Sequence, residues 1–438
     1  MNEIISPSEA PLGENSSRFH ELISRPVKGW RRFVWLFWAL IGPGVLATLA
    51  NNDAGGMISY TLTGAHFGIG LFIPLVLCLG IVTYTVQELS MRLCAVTQTG
   101  FTKLIRLHFG RLWLNYHIMA LCLENLLMLI TEFIGMAAGL MMLGLPLWIS
   151  VLLSLFLALS IIIFTGYWAR ERMALFIGAF NLVFVILAFM THPRMAAIGH
   201  AFVAWNVPAN SGNLFWYIAA LIGNSVAPFA IFFQGSANID KGVIDKYIRL
   251  GRMDTLIGCI IATMIAACAI LAGAVLYGHM PNLDSAGPAS LITGFVDHVG
   301  NWAGILFGLG IFNAGLLAAI TVSLSTSWVV AEAFGWAKSL NDKLSEAPKF
   351  YAVYIGSIIM AALAVLIPHL PLNFMAVIAQ IGCGILVAPI LIFLLLLTNN
   401  RQLMGEHKNS LFNNIGAWTV AIILIGIAAL LIWNTLAG

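Results

Sequence analysis

Long apolar stretches separated by short polar segments follow one another from about residue 34 to the end of the chain. Each holds about 20 or more residues, which lets one helix cross a hydrocarbon layer roughly 30 Å thick. The pattern predicts an all-α polytopic membrane protein with about eleven transmembrane helices. We place them near residues 34–66, 70–91, 113–141, 145–166, 172–191, 213–236, 253–277, 301–333, 350–369, 372–398 and 412–436.

Two of these stretches are interrupted by residues that normally end helices. The first contains NNDAGG, residues 51–56, and the sixth contains LIGNSVAPFAIFFQ, residues 221–234. Because the interruptions fall five helices apart, they indicate an inverted five-helix repeat whose first helices are broken near the middle of the membrane. We therefore expect four parts: a polar cytoplasmic tail over 1–32, a first repeat over 33–191, a second over 213–398, and an accessory eleventh helix over 412–438.

Composition supports the membrane assignment. Of the 438 residues, 60% are hydrophobic and 9% are charged, whereas soluble domains carry roughly 25% charged residues. The six cysteines show no paired spacing, so they are expected to be buried thiols and not disulfides or a thiolate metal site. The basic residues do not cluster, so no nucleic-acid partner is expected, and the lipid bilayer is the surrounding medium.

The positions of Lys and Arg predict the orientation. With eleven spans and a cytoplasmic N-terminus, all of the 21 Lys and Arg except Arg194 fall on the cytoplasmic side. This bias is typical of membrane proteins. The sequence therefore predicts a multi-pass protein of the plasma (inner) membrane with its N-terminus in the cytoplasm.

Carboxylates inside the apolar stretches are candidates for function, because an unpaired charge in a bilayer is costly. Asp53 lies in the first interruption, where freed backbone carbonyls favour a hard cation; it can also act as the N-cap of the helix that starts at Ala54. Glu124 and Glu132 are about two turns apart in the third stretch, and they either form a proton or ion path or are held by structural partners. Glu88 and Arg92 have the spacing of a structural ion pair.

Several motifs resemble those of the Nramp family of divalent metal transporters. They are GPGVLATLANNDAGG, TGAHFG and QELSMRLCAVTQTG in the first two helices, VAPFAIFFQGS in the sixth and AQIGCGILVAPILIF in the tenth. The resemblance covers nearly the whole chain. It implies the leucine-transporter-like fold with alternating access.

The chain departs from the family at the positions that the resemblance implies are metal ligands. The family's Asp matches Asp53, whereas its Asn falls on Gly56 and its Met on Ala227. Asn224 and Gln380 are either further ligands or ordinary interhelical hydrogen-bonding residues, and Thr48, Asn51 and Asn52 are weaker candidates of the same kind. The predicted metal site thus consists of Asp53, Gly56, Asn224, Ala227 and Gln380.

The groups that would carry protons in the family are also replaced. Its two histidines in the sixth helix fall on Phe229 and Gln234, and the Asp of its third-helix motif falls on Leu129, while Glu132 matches the Glu. No Lys or Arg occurs between residues 350 and 371. These changes resemble the Nramp-related magnesium transporters, and they imply that proton coupling is lost.

The resulting hypothesis is a secondary transporter for divalent ions, Mg²⁺ above all and also Mn²⁺, that binds a partly hydrated ion without proton coupling. Loss of a thioether favours hard ions, and Gly56 and Ala227 in place of Asn and Met are expected to enlarge the site. The alternative is a proton-coupled Mn²⁺ or Fe²⁺ importer. A sodium-coupled amino-acid carrier is disfavoured by the charge of Asp53, and a receptor of this family would need no ion flux. We expect a monomer, no cofactor, no catalytic residues and hence no enzyme.

Overall fold

The computed structural model describes residue 21 and residues 41–206, 214–280, 287–367 and 372–437. Regular structure in these ranges is helical, with no strand. The proposed tail over 1–32 lies outside the described residues, apart from Glu21. The first half of the chain contains α1 (Pro43–Ala50), α2 (Ala54–Phe67), α3 (Phe72–Thr97), α4 (Phe101–Phe109), α5 (Arg111–Met141), α6 (Leu147–Ile163), α7 (Tyr167–Phe180), α8 (Val183–Met190) and α9 (Met195–Ala204).

The second half continues with a similar series of helices. These are α10 (Leu214–Ser225), α11 (Pro228–Lys241), α12 (Ile248–Gly273), α13 (Pro288–His298), α14 (Asn301–Phe334), α15 (Pro348–Val365), α16 (Leu372–Thr398), α17 (Arg401–Met404) and α18 (Leu411–Ala437). The segment 192–212, which the sequence analysis left as a connection, contains the short helix α9.

Both predicted interruptions are present. The first apolar stretch is divided at residues 51–53 into α1 and α2, and the sixth is divided at residues 226–227 into α10 and α11. Asp53 caps α2 through its side chain, and Pro228 is the first residue of α11. Proline is well tolerated at that position, because the first N–H groups of a helix have no partner within it. Local sequence thus explains why each helix restarts where it does.

Nine helical segments among the described residues are long and apolar enough to cross a membrane. They are 72–97, 111–141, 168–190, 214–241, 245–276, 301–334, 348–365, 379–398 and 413–430. The remaining two predicted spans correspond to the divided first stretch, with helices of 8 and 14 residues, and to α6 with 17 residues. The total of eleven spans stays a prediction.

Close approach of α5, α14 and α2 builds the centre of the molecule. A Cβ atom at Gly139 of α5 would lie 2.4 Å from the carbonyl oxygen of Gly308 in α14. One turn earlier, a Cβ atom at Gly135 would lie 2.3 Å from the Cβ atom of Ala54. Small residues let membrane helices approach each other in this way. The first turn of α2 is therefore held directly against α5.

Two basic residues that follow the predicted second and sixth spans lie within the same helices as those spans and are buried. Arg92 is buried in α3, and its Nε atom lies 2.9 Å from Glu88 Oε1, so the predicted ion pair is present. Lys241 is the last residue of α11, and its buried Nζ atom lies 2.8 Å from Glu171 Oε1. The second and sixth spans were therefore predicted to end too early, since the helices continue to Thr97 and Lys241.

Candidate metal-ion site

Asp53 stands at the break between α1 and α2 with a fully buried side chain. Its backbone is extended, and its carboxylate accepts a hydrogen bond from the Gly56 N–H, which makes it the N-cap of α2. Asp and Asn favour this position because their side chains accept from the N–H groups left free in the first turn. Asp53 therefore has the predicted capping role, and its remaining lone pairs face other helices.

Gln380 of α16 is the side chain that reaches Asp53 from across the bundle. Its Nε2 atom lies 3.2 Å from Asp53 Oδ1 and 3.4 Å from Oδ2, so the amide donates to the carboxylate. Gln380 Oε1 is buried and has no hydrogen-bond partner among the described residues. An oxygen with free lone pairs beside a carboxylate is a suitable donor for a divalent cation.

Asn224 in the last turn of α10 occupies the space beside Gly56. A Cβ atom at Gly56 would lie 2.0 Å from Asn224 Oδ1 and 2.3 Å from its Nδ2. Neither polar atom of this amide has a hydrogen-bond partner in the described part of the chain. The expected enlargement of the site at Gly56 is therefore not observed, since the Asn224 amide fills the space.

The two glycines of the first interruption make room for these two amides. A Cβ atom at Gly55 would lie 2.9 Å from Gln380 Nε2, just as one at Gly56 would meet Asn224. Gly223 has a related function, because a Cβ atom there would lie 1.9 Å from the carbonyl oxygen of Gln380. Glycines on facing helices thus bring Asn224 and Gln380 close to Asp53.

Ala227 is the N-cap residue of α11, and its side chain is only a methyl group.

The weaker ligand candidates Asn51 and Asn52 form hydrogen bonds with backbone carbonyl groups. Asn51 Nδ2 donates to the Ser225 carbonyl oxygen at 3.2 Å, and Asn52 Nδ2 donates to that of Ala262 at 2.8 Å. Both residues, with Asn224, line a small cavity of about 20 Å³, which is room for about one water molecule.

The two glutamates of α5 have different partners. Glu132 Oε2 accepts from the Ala54 N–H at 2.9 Å, so this buried carboxylate lies at the first turn of α2 beside Asp53. Glu124 lies two turns away and contacts the Cys383 thiol of α16, with 2.7 Å between Oε1 and Sγ. One glutamate thus belongs to the α2 terminus and the other to a contact between α5 and α16.

The sequence analysis missed two sulfur-containing neighbours of the site. Met128 Sδ lies 3.7 Å from Gln380 Nε2 and 3.5 Å from Cys383 Sγ. Helical spacing offered a signal, since Met128 follows Glu124 by four residues and Cys383 follows Gln380 by three. No cluster of three or more His, Cys, Asp or Glu side chains occurs in the described ranges, so donors here must include amides or sulfur.

The positions that replace charged groups of the family are buried and cannot titrate. Leu129 and Phe229 are fully buried. Gln234 Nε2 donates to Thr255 Oγ1 at 2.6 Å. The ninth predicted helix corresponds to α15, Pro348–Val365, which has Lys349 near its start as its sole basic residue.

Broken helices around a buried polar site are typical of membrane transporters built from inverted repeats. Comparison with solved structures supports this. The Eremococcus coleocola manganese transporter, in complex with an aromatic bis-isothiourea substituted compound, matches with a TM-score of 0.73 and 19% identity, over 100% of this chain and 91% of that chain. Mhp1, a nucleobase-cation-symport-1 family transporter, matches with a TM-score of 0.54 and 12% identity, over 85% and 81%.

Sequence comparison identifies the family. Residues 44–434 match the family model described as Nramp, natural resistance-associated macrophage protein-like. The divalent metal cation transporter MntH of Levilactobacillus brevis is 25% identical over 91% of both chains, and MntH of Yersinia pestis is 26% identical over 91% of this chain and 95% of its own. The chain belongs to the Nramp family. The expected fold class and the expectation of a transporter, not an enzyme, are confirmed.

Proposed function

We propose that this protein transports divalent metal ions, with Mg²⁺ as the preferred ion and Mn²⁺ also carried, and that protons do not accompany them. The ion binds at Asp53 between the two broken helices, with Gln380 and Asn224 as amide donors and with Gly56 and Ala227 leaving the site free of other ligands. The site then opens to one side of the membrane at a time. Transport of divalent metal ions rests on membership of the Nramp family, whose matched relatives are named as divalent metal cation transporters.

The preference for Mg²⁺ is inferred from the donor atoms around Asp53. The Asp53 carboxylate lies beside the Gln380 amide, the Asn224 amide lies beside Gly56, both amides have unpartnered oxygens among the described residues, and the N-cap of α11 is Ala227. Mg²⁺ takes oxygen donors and keeps several of its waters, whereas thioethers select soft transition metals. The cavity beside Asn224 has room for a water molecule of this kind.

The absence of proton coupling is supported by what occupies the relay positions. Leu129 and Phe229 have no titratable group, and both are packed in the core. Glu132 is the remaining carboxylate near Asp53, and its Oε2 atom already accepts from the Ala54 N–H. Its position thus has a structural explanation, the hydrogen bond to the first turn of α2, that does not require it to carry protons.

Membrane potential alone suffices to drive such a transporter. Moving one elementary charge through 100 mV is worth about 2.3 kcal/mol, so a divalent cation gains about 4.6 kcal/mol. That energy corresponds to a concentration ratio of more than about 1,000, since each 1.4 kcal/mol is a factor of about ten.

Flux into proteoliposomes under an inward potential tests the proposal, with Mg²⁺ as the sole external divalent ion and a pH dye trapped inside. Mg²⁺ should enter while internal pH stays at the level of protein-free liposomes. Asp53→Ala should abolish uptake. The matched control is Asp297→Ala, which removes an exposed carboxylate near the end of α13 and should transport like the parent. No Mg²⁺ uptake by the parent would refute the choice of ion.

The second candidate is a proton-coupled Mn²⁺ or Fe²⁺ importer, and the position of Glu132 beside Asp53 is the observation that favours it. Under this mechanism Mn²⁺ entry acidifies the lumen, and Glu132→Gln removes the acidification. The same dye measurement with external Mn²⁺ therefore separates the two mechanisms.

A further inference from the structure

We infer that Glu124, Met128 and Cys383, together with Gln380 Oε1, form a second binding site for thiophilic divalent ions such as Cd²⁺ and Zn²⁺. This site is separate from the Asp53 site and shares one residue, Gln380, with it. Its existence does not depend on which ion the Asp53 site transports.

Two helices present the four residues on facing sides. Glu124 and Met128 are four residues apart in α5, and Gln380 and Cys383 are three apart in α16. Residues with these spacings lie on one side of a helix, one turn apart. The juxtaposition is therefore a property of two helix faces and needs no loop to maintain it.

Three of the proposed donors already lie close together, and the amide of the fourth residue lies beside them. Cys383 Sγ is 2.7 Å from Glu124 Oε1 and 3.5 Å from Met128 Sδ, which in turn is 3.7 Å from Gln380 Nε2. Donors at about 2.0–2.3 Å from a tetrahedral Zn²⁺ are separated by about 3.3–3.8 Å. The sulfur atoms are near such a spacing, and the glutamate needs only a side-chain rotation to reach it.

Unsatisfied oxygens point to a ligand here. Glu124 is 2% exposed and Gln380 is 0% exposed. Glu124 Oε2 and Gln380 Oε1 are nevertheless without a hydrogen-bond partner among the described side chains and backbone. A buried polar atom without a partner costs roughly 1–3 kcal/mol. A cation bound beside Cys383 would satisfy the glutamate oxygen, and rotation of the Gln380 amide would bring Oε1 to the position beside Met128 that Nε2 now occupies.

The chemistry of the donors sets the class of ion. A thiolate and a thioether favour soft and borderline metals, and the carboxylate adds the charge that a divalent ion requires. Binding breaks the S–H bond of Cys383, forms a metal–sulfur bond and releases one proton to the solvent. Mg²⁺ gains nothing from sulfur donors, so it is excluded from this site.

Occupation of the second site affects the first through Gln380. The amide that donates to Asp53 through Nε2 would supply Oε1 to the soft ion. Reorientation of this side chain weakens its contact with Asp53. The structure thus provides a route by which Cd²⁺ or Zn²⁺ inhibits transport of harder ions without occupying the Asp53 site.

Cadmium titration of the purified full-length protein tests the inference. The background carries Asp53→Ala, which disables the first site, and Cys78→Ser, which removes the exposed thiol. We expect one Cd²⁺ per protein, with an ultraviolet thiolate-to-cadmium charge-transfer band. Adding Cys383→Ser should abolish the band, and adding Met128→Leu or Glu124→Gln should weaken binding at least tenfold.

The matched control is Cys94→Ser, which removes an equally buried thiol in α3 and should leave the band unchanged. Gel filtration identifies any variant that is not folded, and the near-isosteric Met128→Leu and Glu124→Gln then test the site without Cys383→Ser. No band in the background protein would overturn the inference. So would a band that persists after Cys383→Ser, or one that is lost with Cys94→Ser.

Discussion

Moving the amide of Asn224 from α10 to position 56 of α2 tests whether the two positions share one space at the ion site. Asn224 fills the space that Gly56 leaves, and a Cβ atom at residue 56 would lie 2.0 Å from Asn224 Oδ1. The single change Gly56→Asn therefore forces two amides into the space of one. Combining it with Asn224→Ala moves the amide from α10 to α2 and should restore the site.

The expected magnitude follows from the overlap. A contact of 2.0 Å is far below van der Waals distance, and overpacking a buried site typically costs about 1–3 kcal/mol. Asn224→Ala alone loses an amide donor and leaves a small cavity. If the two residues share one space, the double variant should bind Mn²⁺ more tightly than the sum of the two single effects predicts. The difference should be about 1–3 kcal/mol of binding free energy, a factor of roughly 5–150 in affinity.

Four proteins complete the cycle: the parent, each single variant and the double variant. Isothermal titration with Mn²⁺ gives the affinity of each, and thermal unfolding in detergent reports any loss of folded protein. Gly356→Asn is the matched control, since a Cβ atom at this helical glycine of α15 meets no atom within 4 Å. It should leave Mn²⁺ affinity at the parent value.

Additive effects would refute this reasoning. If Gly56→Asn and Asn224→Ala together weaken binding by the sum of their separate effects, the two side chains do not compete for one space at the ion. A Gly56→Asn protein that binds as tightly as the parent would show the same.

Three further predictions concern charged groups. Asp53→Asn keeps the cap of α2 but should abolish Mn²⁺ uptake, because an amide replaces the carboxylate; uptake above one tenth of the parent rate would contradict this. Glu132→Gln can still accept from the Ala54 N–H, so metal uptake should stay within about threefold of the parent, whereas Glu132→Ala should lower the unfolding temperature measured in detergent. Lys241→Met leaves Glu171 buried without its partner, which costs about 3–5 kcal/mol for such pairs. It should increase the labelling of cysteines introduced at the start of α1, and unchanged labelling would contradict it.

Much of the architecture could be predicted from the sequence because it depends on local properties. Apolar length sets the spans, and the group NNDAGG cannot continue a helix through a membrane without an interruption. The same residues indicated Asp53 as both cap and ligand candidate. Of the predicted site residues, Gln380 lies beside Asp53 and Asn224 beside Gly56, and their role as ion ligands stays a prediction.

The parts that could not be predicted depend on which helix faces meet. Periodicity places Met128 and Cys383 each on one side of its own helix, but only the packing of α5 against α16 brings their sulfur atoms to 3.5 Å. In the same way, Gly56 suggested an enlarged site, because the sequence does not show that Asn224 fills the space. The ends of α3 and α11 were predicted too early, since buried ion pairs let Arg92 and Lys241 remain within helices.

The short helix α1 links the Asp53 site to the buried carboxylate of Asp254. At its start, the Asp254 carboxylate accepts from the N–H groups of Gly42, Gly44 and Val45 at 3.0, 2.7 and 3.2 Å. At its end, the chain passes directly into Asp53. Eight residues of helix span only about 12 Å, and a helix this short moves as a rigid unit. Because Asp254 holds the start of α1 and Asp53 follows its last residue by three positions, we expect a shift of Asp53 on ion binding to reach the hydrogen bonds with Asp254 through this helix.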